Sequence, residues 1–103
     1  MAGQTSFAIG GIDEVIHGRI RLGIMAYLAN AGVADFNELK GALEATQGNL
    51  SVHLRKLEDA GYVAIEKSFM ARKPLTQARL TPAGRKAFAA YLEAMGRLLR
   101  EAS

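Results

Sequence analysis

There is no cysteine in the 103-residue chain, which removes disulfide frameworks, thiolate metal sites and thiol catalysis by composition alone. Tryptophan is absent as well, and proline and histidine occur twice each. No Gly-rich phosphate loop is present, and no nucleophile, base and oxyanion donor can be assembled from what remains, so an enzyme is not expected. The longest uncharged stretch, Leu22 to Ala34, falls short of the roughly 18 apolar residues a membrane span needs. No Lys or Arg precedes Arg19, so the basic start of a leader is missing. The expectation is a cytoplasmic, unprocessed protein with no membrane association, no metal and no cofactor.

Charge is scarce in total and uneven in place. The net value is only +3. Residues 1–45 hold three basic groups against five acidic ones, a balance of −2, whereas residues 46–86 hold eight against three, a balance of +5. The remaining tail is neutral. The middle of the chain is therefore the part suited to a polyanion. A chain of this length supports one core, which assigns residues 1–11 to a small, Gly-rich arm and 12–103 to a single domain.

Periodicity sketches the elements. Ile12, Val15, Ile16, Ile20, Ile24, Tyr27 and Leu28 recur at three- and four-residue steps, predicting a helix from Ile12 to about Asn30 that Gly32 stops. Asp35 and Glu38 have capping-box spacing and open a second, short helix. Thr46 caps a third, Gln47 to Ala60, whose stripe is Leu50, Leu54 and Leu57 and whose end is Gly61. Two strand-like runs follow, 62–67 and 75–80, around a Ser68–Pro74 segment expected to protrude as a loop because Pro74 lacks an N–H. Thr81-Pro82 then opens a final helix to about Glu101, with the apolar stripe Phe88, Tyr91, Leu92, Met95, Leu98 and Leu99. The order is α-α-α-β-β-α, mainly α with a small β-hairpin (α+β), with room for a short extra strand before the second helix. That is the order of a winged helix-turn-helix.

On that reading the third helix is the reader. With Leu50 as the buried direction at about 100° per residue, Leu54 and Leu57 lie close to it and Gly48, Val52 and Arg55 lie opposite. Asn49, Ser51 and Lys56 flank the outer face. Asn suits adenine, Arg or Lys suits guanine, Ser suits a base or phosphate, and Val52 suits a thymine methyl. The amides at Thr46, Gln47 and Gly48 sit at a positive dipole end that favours phosphate. His53, at the border of the stripe, has three open roles, packing, a hydrogen bond to a neighbour or donation to a phosphate, of which a phosphate or capping contact is favoured. Arg72 and Lys73 supply a second basic element where a wing would lie on the backbone or in the minor groove.

The string Asn49-Leu50-Ser51-Val52-His53-Leu54-Arg55-Lys56-Leu57-Glu58-Asp59-Ala60-Gly61-Tyr62-Val63, with Glu66 to Phe69 and Leu80 to Arg85, resembles small stand-alone winged-helix transcriptional regulators near the MarR and ArsR groups. The resemblance spans about residues 12–100. It implies a homodimer on palindromic double-stranded DNA, with the third helix in the major groove, residues 68–74 as the wing, and the first and last helices forming the dimer interface. On those helices Ile16, Ile20, Tyr27, Phe88, Tyr91, Leu92, Met95, Leu98 and Leu99 are the candidate interface residues. Metal-sensing members carry cysteine ligands and this chain has none, so that role does not transfer. His17 is given no function. With no separate sensing domain, a small-molecule effector could act only through the dimer cleft. A winged helix used as a protein-interaction module, or as an RNA binder, is the competing reading.

Overall fold

The structure, a computed structural model, describes residues 9–102. A 3-10 turn (Ile9–Gly11) is followed by α1 (Arg19–Ala31), β1 (Val33–Asp35), α2 (Phe36–Leu43), α3 (Gln47–Asp59), β2 (Val63–Met70), β3 (Lys73–Leu80) and α4 (Pro82–Ala102). The element order expected for a winged helix is present, including the short extra strand before α2. Of the arm predicted over residues 1–11, residues 1–8 lie outside the described residues.

The first helix begins later than its apolar spacing predicts. Asp13 accepts hydrogen bonds from the amides of Val15 at 2.8 Å and Ile16 at 3.3 Å, a local side-chain bond that competes with helix formation. Gly18 then takes an extended conformation before Arg19. Residues 12–18 are therefore a turn segment, and His17 stands in it, not on the helix. Its apolar residues still point inward, and Ile16 is fully buried.

Local signals decide the next three elements. The Asp35 carboxylate accepts the Glu38 amide at 2.8 Å while Glu38 reaches back to the Asp35 amide, so the capping box over α2 is complete. Thr46 Oγ1 accepts the Asn49 amide at 3.1 Å and starts α3. At the other end Gly61 has φ +84°. Its amide donates to the Glu58 carbonyl at 2.9 Å and that of Tyr62 to the Leu57 carbonyl at 3.0 Å, the paired bonds of a Schellman motif.

The sheet has the order β1-β3-β2, all antiparallel. The segment 68–74, expected as a loop, is instead a continuation of the ladder, with Ser68 opposite Leu75, Phe69 opposite Pro74 and Met70 opposite Lys73. Only Ala71 and Arg72 turn, both at positive φ, 51° and 70°, the mirror-type turn whose twist suits a two-residue hairpin. Pro74 is tolerated because antiparallel bonding alternates. Met70 and Lys73 bond across the turn, so the missing N–H of Pro74 faces away from β2. On that side β1 pairs only with residues 77–79.

The core sits where α1, α2, α3 and the base of the sheet meet: Ile24, Met25 and Leu28 pack with Leu39, Leu50, Leu54, Leu57, Val63, Ala78 and Leu80, and the start of α4 adds Phe88 and Tyr91. Thr81 fixes that start. It donates from Oγ1 to the Gly61 carbonyl at 2.6 Å, accepts the Gly84 amide at 2.9 Å, and bonds through its own amide to the Tyr62 carbonyl at 3.0 Å. Gly84 is required by contact, since a Cβ there would sit 2.0 Å from the Tyr62 carbonyl oxygen. Gly84→Ala is expected to lower unfolding free energy by about 2–3 kcal/mol, because backbone and not a flexible side chain must yield. Gly48→Ala, where a Cβ would meet nothing within 4 Å, should leave stability unchanged or raise it by up to ~1 kcal/mol. Urea unfolding of the two variants checks the contrast.

Candidate nucleic-acid interface

Burial of Leu50, Leu54 and Leu57 against the core leaves the opposite side of α3 in water. Thr46, Gln47, Gly48, Asn49, Ser51, Val52, Arg55 and Lys56 are all exposed. Val52 is 54% exposed, an apolar group held outward among polar ones. The Thr46 hydroxyl already satisfies the Asn49 amide, so the amides of Gln47 and Gly48 are the ones at the helix start that lack this cap.

His53 is placed differently from its neighbours. It is half-buried, and its Nδ1 lies 2.9 Å from Nη1 of Arg21. A guanidinium only donates, so Nδ1 accepts and the neutral ring carries its proton on Nε2. Arg21 is itself held by the carbonyls of Val15 and Glu14. The histidine therefore ties α3 to α1 and to the turn segment before it. Burial, then the charges of Arg21 and Lys56, hold its pKa below the usual value.

The hairpin supplies the second surface. Every residue from Glu66 to Pro74 is exposed, including Arg72 and Lys73. Alternation along the strands puts Val63, Ile65, Lys67 and Phe69 on one face with Leu80, Ala78, Thr76 and Pro74 opposite them. That face begins in the core and continues out along the hairpin. Where it passes α3 it closes a cleft of about 510 Å³, lined by Gln47, Ser51, Leu54, Arg55 and Glu58 of α3, by Ile65, Lys67 and Thr76 of the sheet, and by Phe36 of α2. The cleft has an apolar floor and walls bearing amide, hydroxyl and cationic donors, with Glu58 as the opposing charge. A phosphate chain laid between helix and hairpin would meet donors from both sides.

Lys67 and Thr76 are additions to the residues expected from the sequence. The signal that finds them is strand parity, since both share the face of buried Val63 and Leu80. On the outer face Arg79 pairs with Glu66 at 3.7 Å. Among the described residues no group of three or more His, Cys, Asp or Glu could hold a metal ion, and no helix is long and apolar enough to cross a membrane.

The residues expected at a subunit interface divide into two sets. Ile16, Phe88 and Tyr91 are buried in the core of their own chain, so they are corrected from interface to core. His17 Nδ1 is hydrogen-bonded to the Tyr91 hydroxyl at 2.9 Å. Ile20 is half-buried, and Tyr27, also half-buried, donates to Glu38 at 2.6 Å. Leu92 and Leu99 are 53% and 60% exposed, and Met95 and Leu98 are half-buried between them. Helix spacing cannot distinguish the two sets because one stripe runs through both.

The model of a family described as a winged helix DNA-binding domain matches residues 20–99. An uncharacterized protein of Methanocaldococcus jannaschii is 37% identical over 79 residues, covering 77% of this chain and 86% of its own. Among solved structures, a transcriptional regulator homologue from Pyrococcus horikoshii OT3 superposes with a TM-score of 0.83 at 26% identity, covering 100% of this chain and 99% of the other. A MarR-family regulator from Enterococcus faecalis V583 gives 0.71 at 31% identity, covering 95% and 88%.

The His53 pair generates a pH dependence of known sign. With the folded pKa below the unfolded value, the unfolded chain binds the extra proton first, so this contribution to stability is complete above the ordinary histidine pKa of about 6.5. It falls as pH drops toward the folded value. Thermal unfolding at pH 7.5 and 5.5 should therefore show a larger loss for the native chain than for His53→Gln, which cannot titrate. Equal losses would detach the pair from stability.

Proposed function

The chain belongs to the winged helix DNA-binding domain family, and on that premise we propose that it is a sequence-specific transcriptional regulator that binds double-stranded DNA as a homodimer. Residues 12–103 act as one DNA-binding domain, with α3 in the major groove and the hairpin on the adjoining backbone or minor groove. The observation that carries this reading is that one flank of α3, through Gln47, Ser51 and Arg55, and the inner face of the hairpin, through Lys67 and Thr76, line one cleft, with the exposed residues Gly48 and Val52 on the neighbouring outward face of the helix. Contacts then sort by chemistry. Asn49, Val52 and Arg55 meet base edges, while Ser51, Lys56, Lys67, Arg72 and Lys73 hold phosphates. His53 acts behind them by fixing the helix to α1. Two of the similar solved structures are described as a transcriptional regulator homologue and a MarR-family regulator, and the work assigned here is binding, in the cytoplasm, without catalysis.

The dimer is assigned to the far half of α4. At 21 residues this helix is about 31 Å long; its buried residues Gly84, Phe88 and Tyr91 lie in its early part, and Met95 is the last to pack against the core, half-buried. Beyond Tyr91, Leu92, Met95, Leu98 and Leu99 continue the apolar stripe, the pattern of a helix that packs against a second body. A two-fold pair of such helices would set two α3 helices on successive major grooves, with half-site centres about 34–36 Å apart.

Selection from random duplex DNA should enrich a palindrome with that spacing. Enrichment of nothing, together with capture of an acidic protein surface, would replace the regulator with an interaction module. A dimer making ~6–10 phosphate contacts should show log K falling against log salt with a slope of about −5 to −9. Arg72→Ala with Lys73→Ala should weaken binding to all sequences and flatten the slope by ~2 to 4 for the dimer, whereas Asn49→Ala or Arg55→Ala should also change sequence preference. If the hairpin variant altered preference and the helix variants did not, the groove assignment would be reversed. Leu92→Glu should yield a folded monomer by sedimentation, with weakened operator affinity. A fully active monomer would reject this interface.

A further inference from the structure

The tip of the hairpin carries an apolar residue that the cation-and-phosphate account leaves unused. Phe69 is 75% exposed, stands opposite Pro74, and lies four residues beyond Ile65, the last half-buried position of β2. At about 3.3 Å per residue that places it roughly 13 Å out from the core. The minor groove is about 7.5 Å deep, so reach is not limiting. Lys67 shares its face, and Arg72 and Lys73 surround the turn. A second copy of this chain would present the same cations, so tip-to-tip contact is repelled. A duplex fits both halves of the surface, because it offers phosphates at the groove walls and apolar base faces within.

Resting on the DNA-binding reading above, we propose that Phe69 is a minor-groove wedge whose ring enters a base step and bends the duplex. Pro74 backs the ring and restricts the strand behind it, while Lys67, Arg72 and Lys73 hold the flanking phosphates. Wedges of this kind partly unstack one step and kink the helix toward the major groove. The cost depends on the step, being lowest at flexible pyrimidine–purine steps and highest in stiff A-tracts. Phe69 therefore adds a preference for deformable sequence at a position where no base edge is read.

Two duplexes of about 30 base pairs and equal A·T content test this, one of alternating T and A and one with uninterrupted A-tracts. The native chain should prefer the alternating duplex several-fold and shorten the end-to-end distance measured by energy transfer between terminal dyes. Phe69→Ala loses no buried packing and should fold. It should bind the alternating duplex about 10- to 100-fold more weakly, the order expected for returning one phenyl ring to water, with the preference and the bend lost and the salt slope unchanged. Because the chain has no tryptophan, Phe69→Trp provides a single emission signal, which stacking should quench on the alternating duplex. If Phe69→Ala keeps both the bend and the preference, or Phe69→Trp emission does not change on binding, the wedge is overturned and the regulator reading stands. If the native chain binds neither duplex at low salt, both fall together.

Discussion

The approach of Gly84 to the Tyr62 carbonyl controls the geometry on which the rest depends. Three segments meet there: the end of α3, the first residue before β2, and the first turn of α4. The Schellman bonds at Gly61 set the angle at which the chain leaves α3, and Thr81 bonds both Gly61 and Tyr62 while capping α4. The hairpin thus leaves from a point locked to the reader helix, and α4 returns to the same point. A side chain at residue 84 would push α4 away from β2 and, through Thr81, loosen the base of the hairpin. The cleft between α3 and the sheet is therefore held at this junction as well as by the packing of Leu54, Ile65 and Phe36 on its floor.

A second tie works from the other side of α3. His53 and Arg21 join the middle of the helix to α1, and Arg21 continues to the carbonyls of Val15 and Glu14. Asp13 organises that same turn and accepts a hydrogen bond from the Tyr62 hydroxyl at 2.6 Å, which raises the tyrosine pKa through the hydrogen bond, burial and the neighbouring charge. The segment before α1 is therefore linked to both ends of the system, the reader helix through Arg21 and the junction through Tyr62. Apart from the exposed Arg21–Glu14 contact these are part-buried polar bonds, and their removal would leave polar partners poorly solvated.

What could be read from sequence follows from how local the cause was. The caps at Asp35 and Thr46, the glycine stop at Gly61 and the stripe of α3 are decided within a few residues, and the outward face of the reader helix followed from them. The start of α1 was hidden because Ile12, Val15 and Ile16 keep helical spacing while folding as a turn under Asp13. The outer half of the hairpin, residues 68–74, was hidden for another reason. Two-residue turns of this type usually contain Gly or Asn, and Ala71-Arg72 gives no such signal. Lys67 and Thr76 needed the register between β2 and β3, which is not local. The split of the terminal stripe into core residues Phe88 and Tyr91 and exposed residues Leu92 and Leu99 depends on where α4 leaves the core, and periodicity carries no information on that.

The turn that concealed the outer half of the hairpin is also its most strained point. An alanine and an arginine in the left-handed region cost roughly 1–2 kcal/mol each relative to glycine, and no core contact lies beside them, since residues 66–74 are all exposed. Stability alone would favour Asn-Gly there. The ladder between Lys67 and Lys73 holds the turn through backbone bonds and cross-strand contacts such as Phe69 with Pro74. A guanidinium kept at a strained position on an otherwise unsupported tip is explained by what it reaches and not by what it stabilises. The exposed phenyl ring of Phe69, two residues before the turn, likewise gains nothing from the core, and the duplex contact proposed above would use cation and ring together.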